Sequence, residues 1–200
     1  MGPRREITFP MFGDGIFTQE GAAWKASRDM LRPQLKHRQY EDLDVFREPV
    51  DHLIQQIENG TCKGIIDLQP LFFRLTLDVT TAFLFGESVR SLTTPEATGE
   101  QTFSTSFNTA QRWVTKRYRL LDLYWLIDSK EFRDSCKQVH GFADQIIDRN
   151  LSPSRSNSGN AGKYVFLDAI AEATSDRAAL RGQIINLLTA GRDTTACLPN

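Results

Sequence analysis

The sequence predicts a mostly α-helical protein, and three observations carry that reading. Apolar residues recur at helical spacing along most of the 200 residues. No segment alternates apolar and polar side chains for more than four positions, as a half-buried strand would. Gly, Pro and Asn fall where the helical stripes begin or stop, apart from one polar Gly/Ser-rich stretch at 151–162 that reads as a flexible internal loop. Hydrophobic content is 40 %, with 13 Phe to build a core. The 24 Lys+Arg nearly cancel the 25 Asp+Glu, so no basic field marks the chain as a nucleic-acid binder. The longest apolar run, Leu123 to Ile127, is far short of the roughly twenty residues that span a bilayer. Cys62, Cys136 and Cys197 are odd in number and widely spaced, which suggests neither a disulfide framework nor a zinc site.

Taken in order, the first helix follows Thr18, an expected N-cap, with Glu20 in a first turn that suits the helix dipole. Leu43, Phe46, Val50, Leu53, Ile54 and Ile57 form the next stripe, ended by Asn59-Gly60, with Pro49 demanding a kink or a late start. Leu68, Leu71, Phe72, Leu75, Val79, Ala82 and Phe83 trace one face of a helix with Asp67 as N-cap, Pro70 in the first turn and Gly86 as terminator. Residues 92–100 read as a loop. Phe103, Phe107 and Ala110 lie on a helix expected from Gln101 to about Lys116. Phe132, Cys136, Val139, Ala143 and Ile146 make another stripe, with Cys136 acting as a small core residue. A short helix at Val165–Ala173 and a longer one from Asp176, capped by Ser175, to about Cys197 complete the chain.

Two segments stand out chemically. In Gly13-Asp-Gly-Ile-Phe-Thr18 through Trp24-Lys-Ala-Ser-Arg28, the indole N–H of Trp24 and the guanidinium of Arg28 lie one turn apart. Together they are a donor set for a carboxylate or phosphate, or simply a surface Trp–Arg stack. In Ala190-Gly-Arg-Asp-Thr-Thr195, Leu187, Ala190, Gly191 and Thr194 share a face that lets another body approach the backbone. Thr194 can bond the Ala190 carbonyl and loosen the helix, and Asp193 beside it can move protons. The plainer alternative is a helix end with solvated polar residues.

Trp-x-x-x-Arg followed far downstream by Ala-Gly-x-Asp-Thr-Thr resembles the cytochrome P-450 superfamily of haem-thiolate monooxygenases. Arg32-Pro33, Leu75-Thr-Leu-Asp-Val79 and Phe83-Leu-Phe-Gly-Glu-Ser88 extend the likeness, closest to the fungal branch that hydroxylates n-alkanes and fatty acids. The resemblance implies the central helical part of that fold, from its C to its I helix, with residues 1–200 a partial catalytic domain. It implies haem as cofactor, its propionate held by Trp24 and Arg28. Thr194 would orient dioxygen, Asp193 would feed it protons, and Ala190 and Gly191 would leave it room. An apolar substrate would pass Ile16, Phe17 and Phe107, within the aromatic stretch from Phe103 to Trp113. Electrons would come from NADPH through a flavin reductase docked on a basic face that includes Lys25, Arg28, Arg32, Lys36 and Arg38. The branch implies a location on the endoplasmic reticulum membrane, with this part facing the cytosol.

The family's haem-cysteine loop, its Glu-x-x-Arg pair, its N-terminal sheet region and its membrane anchor have no counterpart here, so none of the three cysteines is assigned to iron. The expectation is a fragment that is inactive and poorly folded by itself. The competing reading is a non-catalytic helical module, binding a partner or a lipid, that descends from such an enzyme.

Overall fold

A computed structural model describes residues 4–36, 43–61, 64–86, 88–93, 99–151, 166–174 and 176–197. The expected α class holds: the described elements are α1 (Arg4–Phe12), α2 (Gly21–Lys36), α3 (Asp44–Thr61), α4 (Gln69–Phe85), α5 (Gly99–Leu120), a 3-10 helix (Leu121–Leu126), α6 (Lys130–Leu151), α7 (Phe166–Ala173) and α8 (Arg177–Ala196).

The stripes of α5, α6 and α8 find one another, whereas that of α3 leaves Leu43, Phe46, Val50 and Ile54 exposed and that of α4 is only half-buried, the helix burying Leu77, Asp78, Thr81, Leu84 and Phe85 instead. Phe103, Phe107, Ala110 and Val114 of α5 interlock with Phe132, Cys136, Val139, Ala143 and Ile146 of α6, and Ile184, Ile185 and Leu188 of α8 join the same core. α4 packs along α8, α3 lies on α4, and α7 bridges α2, α4 and α6. α1 is laid across α5 and α6. Buried Arg117 pins it there, donating to the carbonyls of Ile7 at 3.2 Å, Glu6 at 3.4 Å and Ile127 at 3.2 Å. That is how a cation is accommodated inside: its donors are satisfied and its plane rests on the Tyr124 and Phe132 rings.

Several local expectations change. Thr18 does not cap α2; its hydroxyl accepts the Gly15 N–H and donates toward the Gly13 and Gly15 carbonyls, closing the preceding loop. α3 starts at Asp44, runs through Pro49 and absorbs Asn59-Gly60 into its last turn. The N-cap position of α4 is Leu68 rather than Asp67, which lies one residue earlier and accepts the Gln69 N–H at 3.0 Å, and Gly86 (φ 75°) ends α4 with its N–H on the Ala82 carbonyl at 2.9 Å. The residue that caps α8 is Asp176, whose Oδ1 accepts the N–H groups of Ala178 and Ala179; Ser175 lies outside the described residues. α5 extends to Leu120, past Lys116, and passes directly into the 3-10 helix, with Leu121 at φ 45°. Leu151 is the last residue of α6, and the rest of the 151–162 stretch lies outside the described residues.

Asp78 is fully buried on α4 and accepts the N–H groups of Ser91 at 2.6 Å and Leu92 at 3.1 Å. Burial raises its carboxyl above the ordinary value, and these bonds oppose the rise.

Candidate functional site

The second half of α8 is where the sequence places its chemistry. The loop 13–18 is clamped to the helix upstream of it. Asn186 takes the Phe17 N–H on Oδ1 at 2.9 Å and donates to the carbonyls of Phe12 at 3.2 Å and Gly182 at 2.7 Å. Gln183 accepts the Ile16 N–H at 3.2 Å and donates to Ser27 at 2.6 Å. The approach is so close that a Cβ on Gly182 would stand 2.0 Å from the Asp14 carbonyl oxygen. Asn186 and Gln183 thus fix Ile16 and Phe17 beside α8. Sequence reasoning did not pick them out, although two amides three apart in an apolar stripe were a visible signal.

Two cavities flank the helix. One, of about 480 Å³, lies between α1, α5 and α8; Thr8, Phe12, Phe17, Asn108, Gln111 and Asp193 are on its wall. The other, an apolar groove of about 540 Å³, is lined by Phe46 and Val50 of α3, Val79, Thr80 and Phe83 of α4, and Leu187, Ala190, Gly191 and Thr195 of α8. With about 3.6 residues per turn, Thr194 falls between Ala190 and Gly191 on the face it shares with Leu187, and Asp193 lies on the flank beyond Ala190, toward the other cavity. Thr194 is exposed, and its hydroxyl donates to the Ala190 carbonyl at 2.5 Å. That bond was anticipated, but the helix stays α-helical through Ala196 rather than loosening. The small residue Gly191 serves packing as well as space, since a Cβ there would meet Thr80 Oγ1 at 2.5 Å.

Asp193 does not bond Thr194. Its Oδ2 accepts the Gln111 side-chain amide and its Oδ1 pairs with Arg192 Nη1 at 2.9 Å. Phe17 is 42 % exposed on the cavity wall. Phe107 is fully buried beneath Arg192, and Phe103 stacks on Phe142 with centroids 4.0 Å apart. Trp113 donates to Glu131 of α6 at 3.1 Å. The aromatic side of α5 therefore faces α6, and a different, more polar face reaches the cavity through Asn108, Gln111, Thr115 and Tyr118.

On α2, Trp24 is 40 % exposed with the Arg28 guanidinium 5.7 Å from its ring centroid. Neither side chain makes a hydrogen bond or ion pair among the described residues, so both donors are available to an outside carboxylate. Lys25 and Arg32 are exposed on the same helix; the Lys36 side chain and Arg38 lie outside the described residues. This donor set fits the propionate edge of a haem. The sulfur chemistry is different. Cys136 is buried with its thiol pushed up to about 12, which keeps it protonated, and Cys62 lies outside the described residues. Cys197 is an exposed free thiol just past α8.

Comparison with known proteins agrees with the helical fold and the family resemblance. The family model for Cytochrome P450 matches residues 4–197. A protein of Arthroderma benhamiae named Cytochrome P450 is 42 % identical over 190 residues, covering 92 % of this chain and 38 % of that protein. Cytochrome P450 52A4 of Candida maltosa is 39 % identical over 207 residues, covering 99 % of this chain and 38 % of its own length. Among solved structures, a cytochrome P450, CYP102L1, superposes with a TM-score of 0.68 at 21 % identity, over 98 % of this chain and 45 % of that one, a likeness of fold. The chain thus spans less than half of the relatives it matches, and by its sequence it belongs to the cytochrome P450 family.

Proposed function

We propose that these 200 residues are the central segment of a haem-dependent monooxygenase that hydroxylates long apolar chains, n-alkanes or fatty acids. The observation that carries the reading is that the Ala-Gly-x-Asp-Thr stretch of α8 runs between two cavities, with Asp193 on the wall of one and Ala190 and Gly191 on the wall of the other. When bound, the haem iron with its thiolate supplies the oxygen activation, which no side chain can replace. Trp24 and Arg28 hold the propionates by charge-assisted hydrogen bonds. Asp193 would pass protons toward the neighbouring Thr194, whose hydroxyl would face the haem pocket. Phe12 and Phe17 present apolar surface to the substrate and exclude water, Ile16 positions Phe17 through the loop, and Phe107 supports the wall from behind Arg192.

Electrons come from NADPH through a flavin reductase docked on the exposed basic residues of α2 around Lys25 and Arg32. The protein works at the endoplasmic reticulum membrane with this segment facing the cytosol. No helix among the described residues is long and apolar enough to cross a membrane. The exposed Leu121, Leu123, Trp125 and Leu126 of the 3-10 helix have the chemistry of a surface that lies in a bilayer interface. By itself, the 200-residue chain is inactive, because two propionate donors without a thiolate hold haem weakly.

The test is the full transcript, read upstream of Met1 and beyond Asn200. A reading frame that continues into a Glu-x-x-Arg pair and a cysteine loop, and whose product hydroxylates an alkane or fatty acid with reductase and NADPH, supports the proposal. A transcript that stops at Asn200 and yields a cooperatively melting protein that ignores haem overturns it in favour of a non-catalytic module.

A further inference from the structure

Arg192, inside the Ala-Gly-Arg-Asp-Thr-Thr motif, is 0 % exposed. Its guanidinium sits 4.7 Å from the Phe73 ring centroid and 5.1 Å from that of Phe107. It donates to Asn108 Oδ1 at 2.9 Å, Ser104 Oγ at 3.3 Å and Asp193 Oδ1 at 2.9 Å, while its Nε has no partner among the described residues. Burial lowers its pKa from the usual arginine value, and the Asp193 carboxylate pulls it back. Asp193 is the carboxylate paired with it among the described residues. The other Asp193 oxygen accepts from Gln111. Ser104, Asn108 and Gln111 stand at offsets of 0, 4 and 7 on α5, so one polar face of that helix is given over to the Arg192–Asp193 pair.

The two holds on Asp193 differ in kind. Separating Arg192 from Asp193 leaves a cation buried between two aromatic rings without its counter-charge, which is strongly unfavourable. Separating Gln111 from Asp193 exchanges one neutral donor for another, and both groups line the cavity wall where a replacement can reach them. One hold is permanent and the other is releasable.

Resting on the function proposed above, we propose that Arg192 and Gln111 are positioning residues for Asp193: Arg192 anchors its carboxylate on the α5 side of α8, and Gln111 holds it away from Thr194 until the cavity is filled. Asp193 then has a second duty, as the counter-ion of a buried arginine, and its replacement disturbs stability as well as proton supply.

The experiment compares Arg192→Met, Asp193→Asn, their double variant and Gln111→Ala in the polypeptide that the complete coding sequence yields, haem-loaded where it binds haem. Thermal melts read the ion pair. Asp193→Asn lowers Tm by several degrees, and adding Arg192→Met recovers most of the loss; additive losses overturn the pairing. Solvent deuterium isotope effects, and the fraction of electrons ending in hydroxylated product rather than peroxide, read the Gln111 hold. Gln111→Ala leaves Tm within a degree or two but changes the coupled fraction severalfold, and an isotope effect and coupled fraction equal to those of the parent overturn it. A product that binds no haem ends the parent reading, and the melt cycle alone then decides the pairing.

Discussion

Helix α8 separates two unlike surroundings. On the side of α1 and α5 its neighbours are tied in by directed bonds: Asn186 and Gln183 to the loop 13–18, Arg192 to Asn108 and Ser104, Asp193 to Gln111. On the side of α3 and α4 the contact is apolar and open, and Phe46, Val50 and Ile54 of α3 remain exposed. The difference teaches where specificity sits. Hydrogen bonds and a buried ion pair fix angles and register, so that flank has one arrangement, whereas an apolar groove sets no direction and accepts whatever apolar surface covers it.

Breaking the directed flank has the largest effects. Phe107→Ala removes the floor beneath Arg192 and opens a core cavity, an expected loss of about 3–5 kcal/mol in a denaturant titration. Gly182→Ala puts a methyl group against the Asp14 carbonyl and forces the loop 13–18 off the helix, costing about 1–3 kcal/mol. Retention of full stability by that variant would show that the loop is not clamped as described. pH probes the same flank at lower amplitude. His140 of α6 donates through Nε2 to the Met11 carbonyl of α1 at 2.8 Å, and burial lowers its pKa below the ordinary 6.5. The unfolded chain therefore binds more protons than the native one just below pH 6.5, and stability falls as pH drops through that value. Melts from pH 8 to pH 5.5 show the decline, and His140→Gln flattens it.

The groove flank responds least. Phe46→Ser on the exposed face of α3 changes the stability of these 200 residues by about 0.5 kcal/mol or less, yet it lowers affinity for any apolar segment that seats in the groove. Arg28→Ala likewise leaves the melt unchanged and weakens haem retention, read by gel filtration of the loaded protein; equal retention would remove α2 from the site.

Much of this was legible. The stripe Phe132, Cys136, Val139, Ala143, Ile146 is buried throughout because a 3.6-residue period and a core are the same statement made twice. Gly86 stops α4 because a left-handed residue must follow a helix that ends there. Helix starts were less readable. Thr18 and Asp176 are both capping types, and only their surroundings decide that one closes a loop and the other caps α8. The polar face of α5 could have been read from the 0, 4, 7 spacing of Ser104, Asn108 and Gln111, but nothing local says what such a face meets.

By itself, the sequence determined the helical class, the family and the core faces of α5, α6 and α8, since these follow from periodicity and from motifs written within single helices. It marked neither α1 nor the 3-10 helix, nor the buried face of α4. The tertiary structure alone decided that Arg192 is buried with Asp193 as its counter-charge, that Gln111 holds that carboxylate, and that Phe107 is a floor rather than part of the cavity wall. Those facts depend on which faces of α4, α5 and α8 meet. A charge is stabilised or stranded by neighbours some eighty residues away along the chain, and no local pattern encodes that distance.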